Sequence, residues 1–145
     1  GAGAQQVGVN AAVSQAAQGG WVHIFPEGTR SKDGRLQAVR RGGVGRLVAS
    51  PSSKPPLVVP FYHAGMGKVV PRGALVPLSV GNEVHVVVGE PIPVEDLVLA
   101  RRAGRISEND MHAAVGERVG AALEALQGRA DAMVAARAEE RAMEA

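Results

Sequence analysis

The sequence predicts an α/β fold in which a mixed β-sheet is flanked by helices. Short apolar runs typical of buried strands occur three times, at residues 21–26, 57–61 and 83–88. A long stretch that begins at Ser107 instead places its apolar residues at helical spacing as far as Val134. At 145 residues, the chain has the size of a single domain.

The first half of the chain is predicted to alternate helix, strand and helix. Two glycines, Gly19 and Gly20, end the first helix. Pro26 and Gly28 then stop the following strand and turn the chain. In chain order, the predicted elements are a helix over residues 4–18, a strand over 21–26, a loop over 27–39 and a helix over 41–50 whose inward residues are Val44, Leu47 and Val48.

The second half is predicted to hold two strands and a long C-terminal helix. The loop after the first of these strands is unusually long for a compact domain, which indicates a functional role. Ser107 and Asp110 form a capping box at the start of the last helix. In chain order, the predicted elements are a linker over 51–56, a strand over 57–61, a loop over 62–80, a strand over 83–88, a helix from 107 and a helical or disordered tail over 135–145.

The composition argues against several kinds of site and partner. Hydrophobic residues make up 46% of the chain but aromatic residues only 3%, so small side chains fill the core and we expect modest stability. The absence of Cys excludes disulfides, thiolate metal sites and a Cys nucleophile. No run approaches the roughly 18 apolar residues of a membrane-spanning helix. The few aromatic residues are scattered, so no stacking surface for nucleic acid is expected despite the slight net charge of +2.

A polar turn after the first predicted strand is the strongest candidate for a binding site. Ligands of open α/β sheets usually bind where strands end. One carboxylate, one guanidinium and two hydroxyls on a tight turn suit a phosphate group and its neighbouring hydroxyl. The alternative is a surface ion pair between Glu27 and Arg30, worth about 0–1 kcal/mol. The turn, which we call the heptapeptide, consists of Phe25, Pro26, Glu27, Gly28, Thr29, Arg30 and Ser31.

A second basic group precedes the helix predicted over residues 41–50. Arg40 and Arg41 lie just before its glycines. A helix N-terminus offers free backbone N–H groups and a partial positive charge, which favour a phosphate. The sequence therefore allows a second phosphate contact here, and the alternative is a solvated basic helix cap.

The heptapeptide resembles the third signature block of the glycerolipid acyltransferases, and its surroundings resemble the tafazzin branch of that family. The resemblance covers residues 1 to about 134, and the Thr-Arg-Ser ending is more similar to plant and algal members than to animal ones. It implies a glycerol-phosphate acyltransferase-like fold. The further matching stretches are residues 19–28, residues 43–47, Pro-Phe-Tyr-His-Ala-Gly-Met at 60–66 and Val-Gly-Glu-Pro-Ile at 88–92.

This resemblance implies an acyltransferase that moves a fatty acyl chain to the free hydroxyl of a lysophospholipid. The expected acceptor is monolysocardiolipin, which would place the enzyme in cardiolipin remodelling. The heptapeptide would bind the acceptor's glycerophosphate, assisted by Arg40 or Arg41. The acyl donor would be either a phospholipid or acyl-CoA, and neither a metal nor another cofactor is implied. The expected partners are phospholipids and a membrane surface, with the protein held peripherally on a mitochondrial or another cellular membrane.

The general base of that family is not found in the sequence. It is the His of a His-x4-Asp block, whereas His85 and His112 are each followed five residues later by Glu. Residues five apart point to opposite faces of a strand, and helical partners lie three or four apart. We therefore expect no catalytic residue in this chain, and expect residues 1–134 to form the C-terminal part of an acyltransferase domain whose N-terminal part is missing. The alternative is a catalytically inert fragment or a lipid-headgroup-binding module.

Two histidines near the heptapeptide are open to more than one interpretation. His63 lies in the stretch shared with the tafazzin branch, where a hydrogen-bonded loop histidine is favoured over a catalytic one. His23 lies within the predicted strand and is interpreted as structural. Met66 is expected to fill the core rather than to contact lipid.

Overall fold

The computed structural model describes residues 7–29, 31, 33–39, 41–49, 54–70 and 81–144, and for Arg41 the backbone alone. Five helices and two strands lie within these residues. Helices α1, α2 and α5 and strand β2 fall within their predicted positions. In chain order, the elements are α1 (Val7–Ala17), α2 (Arg41–Val48), β1 (Phe61–Ala64), α3 (Met66–Val69), β2 (His85–Val88), α4 (Glu95–Arg102) and α5 (Glu108–Glu144).

Helix α5 forms the centre of the core. Its buried residues recur every three or four positions, so one face of the helix is apolar. Val44 and Val48 of α2 and Val98 of α4 pack against the first half of this face. The helix continues without a break to Glu144, and it is exposed from residue 131 onward. The buried residues of α5 are Met111, Val115, Gly116, Val119, Leu123, Leu126 and Ala130.

Helices α2 and α5 approach closely because Gly45 has no side chain. A Cβ atom at this position would lie 2.5 Å from two carbons of the His112 ring. Nε2 of His112 is buried without a hydrogen-bond partner among the described residues, and lies 3.8 Å from Oε1 of Glu108. Burial lowers the pKa of His112; the negative charge of Glu108 opposes this shift, and the charges of Arg46 and Arg101 add to it.

Polar contacts fix the start of α5 and join it to α4. Oγ of Ser107 accepts a hydrogen bond from the backbone N–H of Asp110 at 3.1 Å. In return, the backbone N–H of Ser107 donates to Oδ2 of Asp110 at 3.3 Å, which confirms the predicted capping box. Arg118 of α5 donates two hydrogen bonds of 2.7 Å to the carboxylate of Asp96. The sequence analysis did not predict α4, although acidic residues in its first turn and basic residues in its last are typical helix signals.

Strands β1 and β2 form an antiparallel pair with two different faces. Residues directly opposite each other share a face, and the register pairs Phe61 with Val88 and His63 with Val86. Tyr62 and Val87 lie on the other face, which packs against Leu126 and Ala130 of α5. Within the described residues, the predicted mixed sheet is thus a two-stranded antiparallel sheet. The face opposite to α5 carries Phe61, His63, Val86 and Val88.

The strand predicted over residues 21–26 is wrong. This segment is irregular, and the side chains of Trp21 and Phe25 are 82% and 59% exposed. An apolar run suits a strand, but a strand also needs a neighbour whose backbone groups pair with its own. None of the described segments supplies such a ladder here. His23 therefore does not lie inside a strand, and its structural role stays a prediction.

The second predicted strand is shifted along the chain. Residues 57–61 contribute a single bridge, between Val58 and Ile92, and β1 begins only at Phe61. Pro60 has no N–H to donate, which keeps the ladder from extending back through it. The predicted loop over 62–80 in fact contains most of β1 and the short helix α3, with Gly65 at a φ of 96° between them. Residues 71–80 lie outside the described residues.

Candidate functional site

The heptapeptide begins with a hydrogen-bonded turn. The backbone N–H of Gly28 donates to the carbonyl of Phe25 at 3.0 Å. Pro26 presets the backbone at the second position of the turn. Gly28 adopts a φ of 65°, in the left-handed region that glycine enters without steric cost. The turn predicted from Pro26 and Gly28 is therefore confirmed.

Two carboxylates organise the loop that follows the turn. Oδ1 of Asp33 accepts hydrogen bonds from the backbone N–H of Arg35 at 3.1 Å and from the hydroxyl of Ser31 at 3.0 Å. These bonds, led by the one from Arg35, lower the pKa of Asp33. Oε2 of Glu27 accepts a hydrogen bond from the backbone N–H of Gln37 at 2.6 Å. The Glu27 side chain thus joins the turn to the far side of the loop.

Tyr62 attaches the same loop to the sheet. Its hydroxyl donates to the carbonyl of Gly34 at 3.1 Å, and its ring packs beside the buried cluster of Val87, Leu126 and Ala130. Burial raises the pKa of Tyr62, and the negative charges of Asp131 and Glu27 raise it further. The sequence analysis did not single out this residue. The available signal was its place beside His63 in the stretch that resembles the tafazzin branch.

Four aromatic and imidazole rings join the heptapeptide to β1. The ring of His23 lies 4.8 Å from that of Phe25 and 5.1 Å from that of Phe61, measured between ring centroids. The rings of Phe25 and His63 are 6.3 Å apart and nearly perpendicular. Two stretches that are separated in sequence, the heptapeptide and residues 60–66, therefore lie side by side.

A single open groove runs past these groups. Its volume is about 1920 Å³, and it is lined by the heptapeptide, the segment leading into β1, β1 itself and the C-terminal part of α5. Apolar residues such as Leu57 and Val59 line the same groove as the hydroxyl-bearing Thr29 and Ser31. The groove thus offers both polar and apolar contacts, as an amphiphilic ligand requires. Its charged lining residues are Glu27, Asp33, Arg35, Lys68, Glu83, Asp131, Arg137 and Arg141.

Ion pairs hold the exposed end of α5 against the chain just before β2. Glu83 contacts Arg141 directly, and one of its oxygens lies 3.8 Å from Nε of Arg137. His85 lies 3.6 Å from the same carboxylate. Because these residues line the groove, the ion pairs help to form its rim.

The structure assembles part of the predicted site. Five of the predicted residues line the groove: Phe25, Pro26, Glu27, Thr29 and Ser31. Gly28 shapes the turn and is exposed. Arg41 is the first residue of α2, as predicted for a basic helix start. The predictions for Arg30 and Arg40 fall outside the described residues.

Two further features of the described residues bear on the kind of site. No group of three or more His, Cys, Asp or Glu side chains within the described part of the chain is arranged to hold a metal ion. In the same residues, no helix combines the length and the apolar character needed to cross a bilayer.

Comparison with known proteins identifies the family. Residues 2–64 match the family model described as Acyltransferase. The chain is 32% identical over 108 residues to a protein named Tafazzin from Drosophila melanogaster, covering 74% of this chain and 28% of the relative. It is 37% identical over 101 residues to a protein named Taffazin from Dictyostelium discoideum, and this match covers 68% of this chain and 35% of the relative.

A third relative widens the range of named acyltransferases. The chain is 43% identical over 75 residues to a chloroplastic 1-acyl-sn-glycerol-3-phosphate acyltransferase of Arabidopsis thaliana, covering 52% of this chain and 20% of the relative. The matched part of the chain thus spans about a third or less of the length of these curated relatives. No solved structure matches the chain. The family model covers both the heptapeptide and β1, and the chain belongs to the acyltransferase family and is similar to its tafazzin members.

Proposed function

We propose that the protein takes part in phospholipid acyl transfer, and that its groove holds the acceptor lysophospholipid. One observation carries this proposal: a single groove of about 1920 Å³ is lined by the polar groups of the heptapeptide and by the apolar segment before β1. A lysophospholipid has a phosphate headgroup and one acyl chain, so it needs both kinds of surface within reach of each other. The names of the relatives support the same class of substrate.

The heptapeptide supplies the groups that bind the headgroup in this proposal. The hydroxyl of Thr29 donates a hydrogen bond to a phosphate oxygen, and the planar guanidinium of Arg30 forms a two-pronged contact with the phosphate. The hydroxyl of Ser31 donates to Asp33 in the free protein and would turn to the phosphate when the ligand binds. Arg40 and Arg41 assist at the start of α2, where free backbone N–H groups favour an anion. Phe25, Pro26 and Gly28 fix the shape of the turn.

Glu27 has a structural role in addition to the substrate-binding role that the sequence predicted. Its Oε2 is engaged by the Gln37 amide, so the carboxylate shapes the loop around the headgroup. Oε1 is the oxygen that would accept a substrate hydroxyl. This division lets one residue hold the loop and orient the acceptor at the same time.

The proposed reaction transfers a fatty acyl chain to the free hydroxyl of the lysophospholipid. A general base takes the hydroxyl proton, and the hydroxyl oxygen attacks the acyl carbonyl carbon. The bond between that carbon and the donor's oxygen or sulfur then breaks, and the departing oxygen or sulfur takes the proton from the base. In this proposal the base is the His of a His-x4-Asp block that these 145 residues do not contain. Monolysocardiolipin is the proposed acceptor, and the donor is a phospholipid or acyl-CoA. The enzyme is proposed to act as a peripheral membrane protein, on a mitochondrial membrane in preference to other cellular membranes.

A vesicle-binding measurement tests the substrate class. The purified protein is mixed with phosphatidylcholine vesicles that contain monolysocardiolipin, lysophosphatidic acid or neither, and bound protein is measured by co-sedimentation. We expect stronger binding to either lysophospholipid than to phosphatidylcholine alone. Equal binding to all three kinds of vesicle would contradict the proposal that the groove recognises a lysophospholipid headgroup.

A second candidate function is lipid-headgroup binding without catalysis. The observation in its favour is that none of the four histidines in the sequence has the His-x4-Asp spacing. Transfer of a radiolabelled acyl group to a lysophospholipid tests whether this chain by itself catalyses the reaction. The purified 145-residue chain should show no transfer, since loss of acid–base assistance costs about 10²–10⁴ in rate. Transfer that disappears in His63→Ala would instead locate the base within this chain.

A further inference from the structure

His63 has a polar atom that the described residues leave unused. Its Nδ1 is buried, and no group among the described residues hydrogen bonds to it. A buried polar atom without a partner destabilises the folded state, so such atoms are few in native proteins. The sequence analysis favoured a hydrogen-bonded loop histidine at this position. The structure contradicts this for Nδ1 within the described residues, and places His63 in strand β1 rather than in a loop.

His63 borders the proposed substrate site. It lies on the sheet face opposite to α5, and it lines the groove. The ring of Phe25, the first residue of the heptapeptide, lies 6.3 Å away and nearly perpendicular to it. The strand fixes the backbone of His63 through its pairing with Val86. The imidazole is thus held on a regular element, beside the turn that is proposed to bind the headgroup.

We infer that His63 is a substrate-binding residue whose Nδ1 forms a hydrogen bond with an oxygen of the lysophospholipid headgroup. This inference deepens the proposed function and rests on it. A neutral imidazole nitrogen donates or accepts one hydrogen bond according to its tautomer, so phosphate, ester and hydroxyl oxygens are all suitable partners. Because Nδ1 is enclosed in the free protein, the imidazole would turn toward the groove on binding, and such an oxygen would then supply the partner that Nδ1 lacks among the described residues.

Three substitutions at this position separate the chemistry of Nδ1 from the shape of the ring. His63→Asn keeps an amide group near the position of Nδ1, whereas His63→Gln carries its amide farther out, near the position of Nε2. His63→Phe keeps a ring and removes both nitrogens. The probe is a short-chain lysophosphatidic acid, titrated into each purified protein by calorimetry, with folding checked by circular dichroism.

We expect His63→Asn to bind within about threefold of the unsubstituted protein, and His63→Gln and His63→Phe to bind about tenfold more weakly, which corresponds to one hydrogen bond. Nitrogen NMR gives a second measurement, because the ring nitrogen resonances of a purely structural histidine should not respond to the lipid. Addition of the same lipid should shift the Nδ1 resonance of His63 more than the Nε2 resonance.

Three results would overturn the inference in different ways. If the unsubstituted protein binds the lipid and His63→Phe binds it equally well, the inference fails while the proposed function stands. If the unsubstituted protein binds no lysophosphatidic acid, both fail. Equal weakening of all three folded variants, without a shift at Nδ1, would assign His63 to packing.

Discussion

Oε2 of Glu27 lies 2.6 Å from the backbone nitrogen of Gln37, and this hydrogen bond spans ten residues of the chain. Asp33 holds the interior of the same loop through Ser31 and Arg35. The hydroxyl of Tyr62 fastens the loop to β1 through the carbonyl of Gly34. The loop that carries the second half of the heptapeptide is therefore shaped from three sides before any ligand arrives.

Replacement of Glu27 by Gln should loosen this loop. The amide oxygen of Gln still accepts from Gln37, but without the charge that strengthens the bond, so we expect a loss of about 1 kcal/mol in local stability. The backbone amide of Gln37 should then exchange its hydrogen about fivefold faster in NMR hydrogen exchange. Glu124→Gln, on an exposed position of α5, is the matched control and should leave this rate unchanged. Unchanged exchange in Glu27→Gln would mean that the carboxylate does not hold the loop.

Arg30→Lys should weaken binding to lysophospholipid vesicles even though the positive charge is kept. An ammonium group cannot form the planar two-pronged contact that a guanidinium forms with phosphate. We expect a loss of about tenfold in affinity, with the thermal melt unchanged. Arg129→Lys is the matched control, because Arg129 is exposed on α5 and does not line the groove. If Arg30→Lys binds as tightly as the original protein, the phosphate contact belongs to Arg40 and Arg41.

Gly45→Ala should destabilise the fold. The new Cβ would lie 2.5 Å from the His112 ring, so α2 and α5 would have to separate, at a cost of about 1–3 kcal/mol. Gly43→Ala is a close control in the same helix, since a Cβ there meets nothing within 4 Å. That control should gain up to about 1 kcal/mol from helix propensity. Urea denaturation of both variants checks the contrast, and equal stabilities would mean that the helices do not touch at Gly45.

His112 should make stability depend on pH below its ordinary pKa of 6.5. Burial lowers the pKa of this group in the folded state, so between the folded and unfolded pKa values the unfolded chain binds more protons. The free energy of unfolding should therefore be unaffected by this group above 6.5 and should fall as the pH drops toward the lowered folded value. His112→Gln and His112→Leu both remove the titration, and both should flatten this part of the curve in denaturant titrations. An equally steep fall in the two variants would exclude His112 as its source.

The sequence predicted the parts of this fold whose signals are local. The capping box of Ser107 and Asp110 and the apolar face of α5 depend on neighbours within a few residues, and both are confirmed. The predicted strand at residues 21–26 depended on a partner elsewhere in the chain, and an apolar run carries no information about that partner. Helix α4 was missed because it is short and mostly exposed, so its apolar periodicity is weak.

The candidate site shows the same division between local and distant information. The turn at Pro26 and Gly28 follows from the backbone preferences of those two residues and could be predicted. The contact between Glu27 and the Gln37 amide, and that between Tyr62 and Gly34, join residues 10 and 28 positions apart. No spacing rule links such residues. Nδ1 of His63 has no hydrogen-bond partner among the described residues, and this too depends on surroundings that the sequence does not reveal.

The continuous length of α5 has a consequence for the order of folding. Isolated helices shorter than about 12–15 residues are marginal in water, whereas this alanine-rich segment spans 37 residues. We expect it to populate helical structure in the unfolded chain, ahead of its partners. Its single apolar stripe would then act as a template on which α2 and the β1–β2 pair condense separately, each burying its own cluster. Early collapse would therefore begin at the C-terminal end of the chain, and the groove would form last.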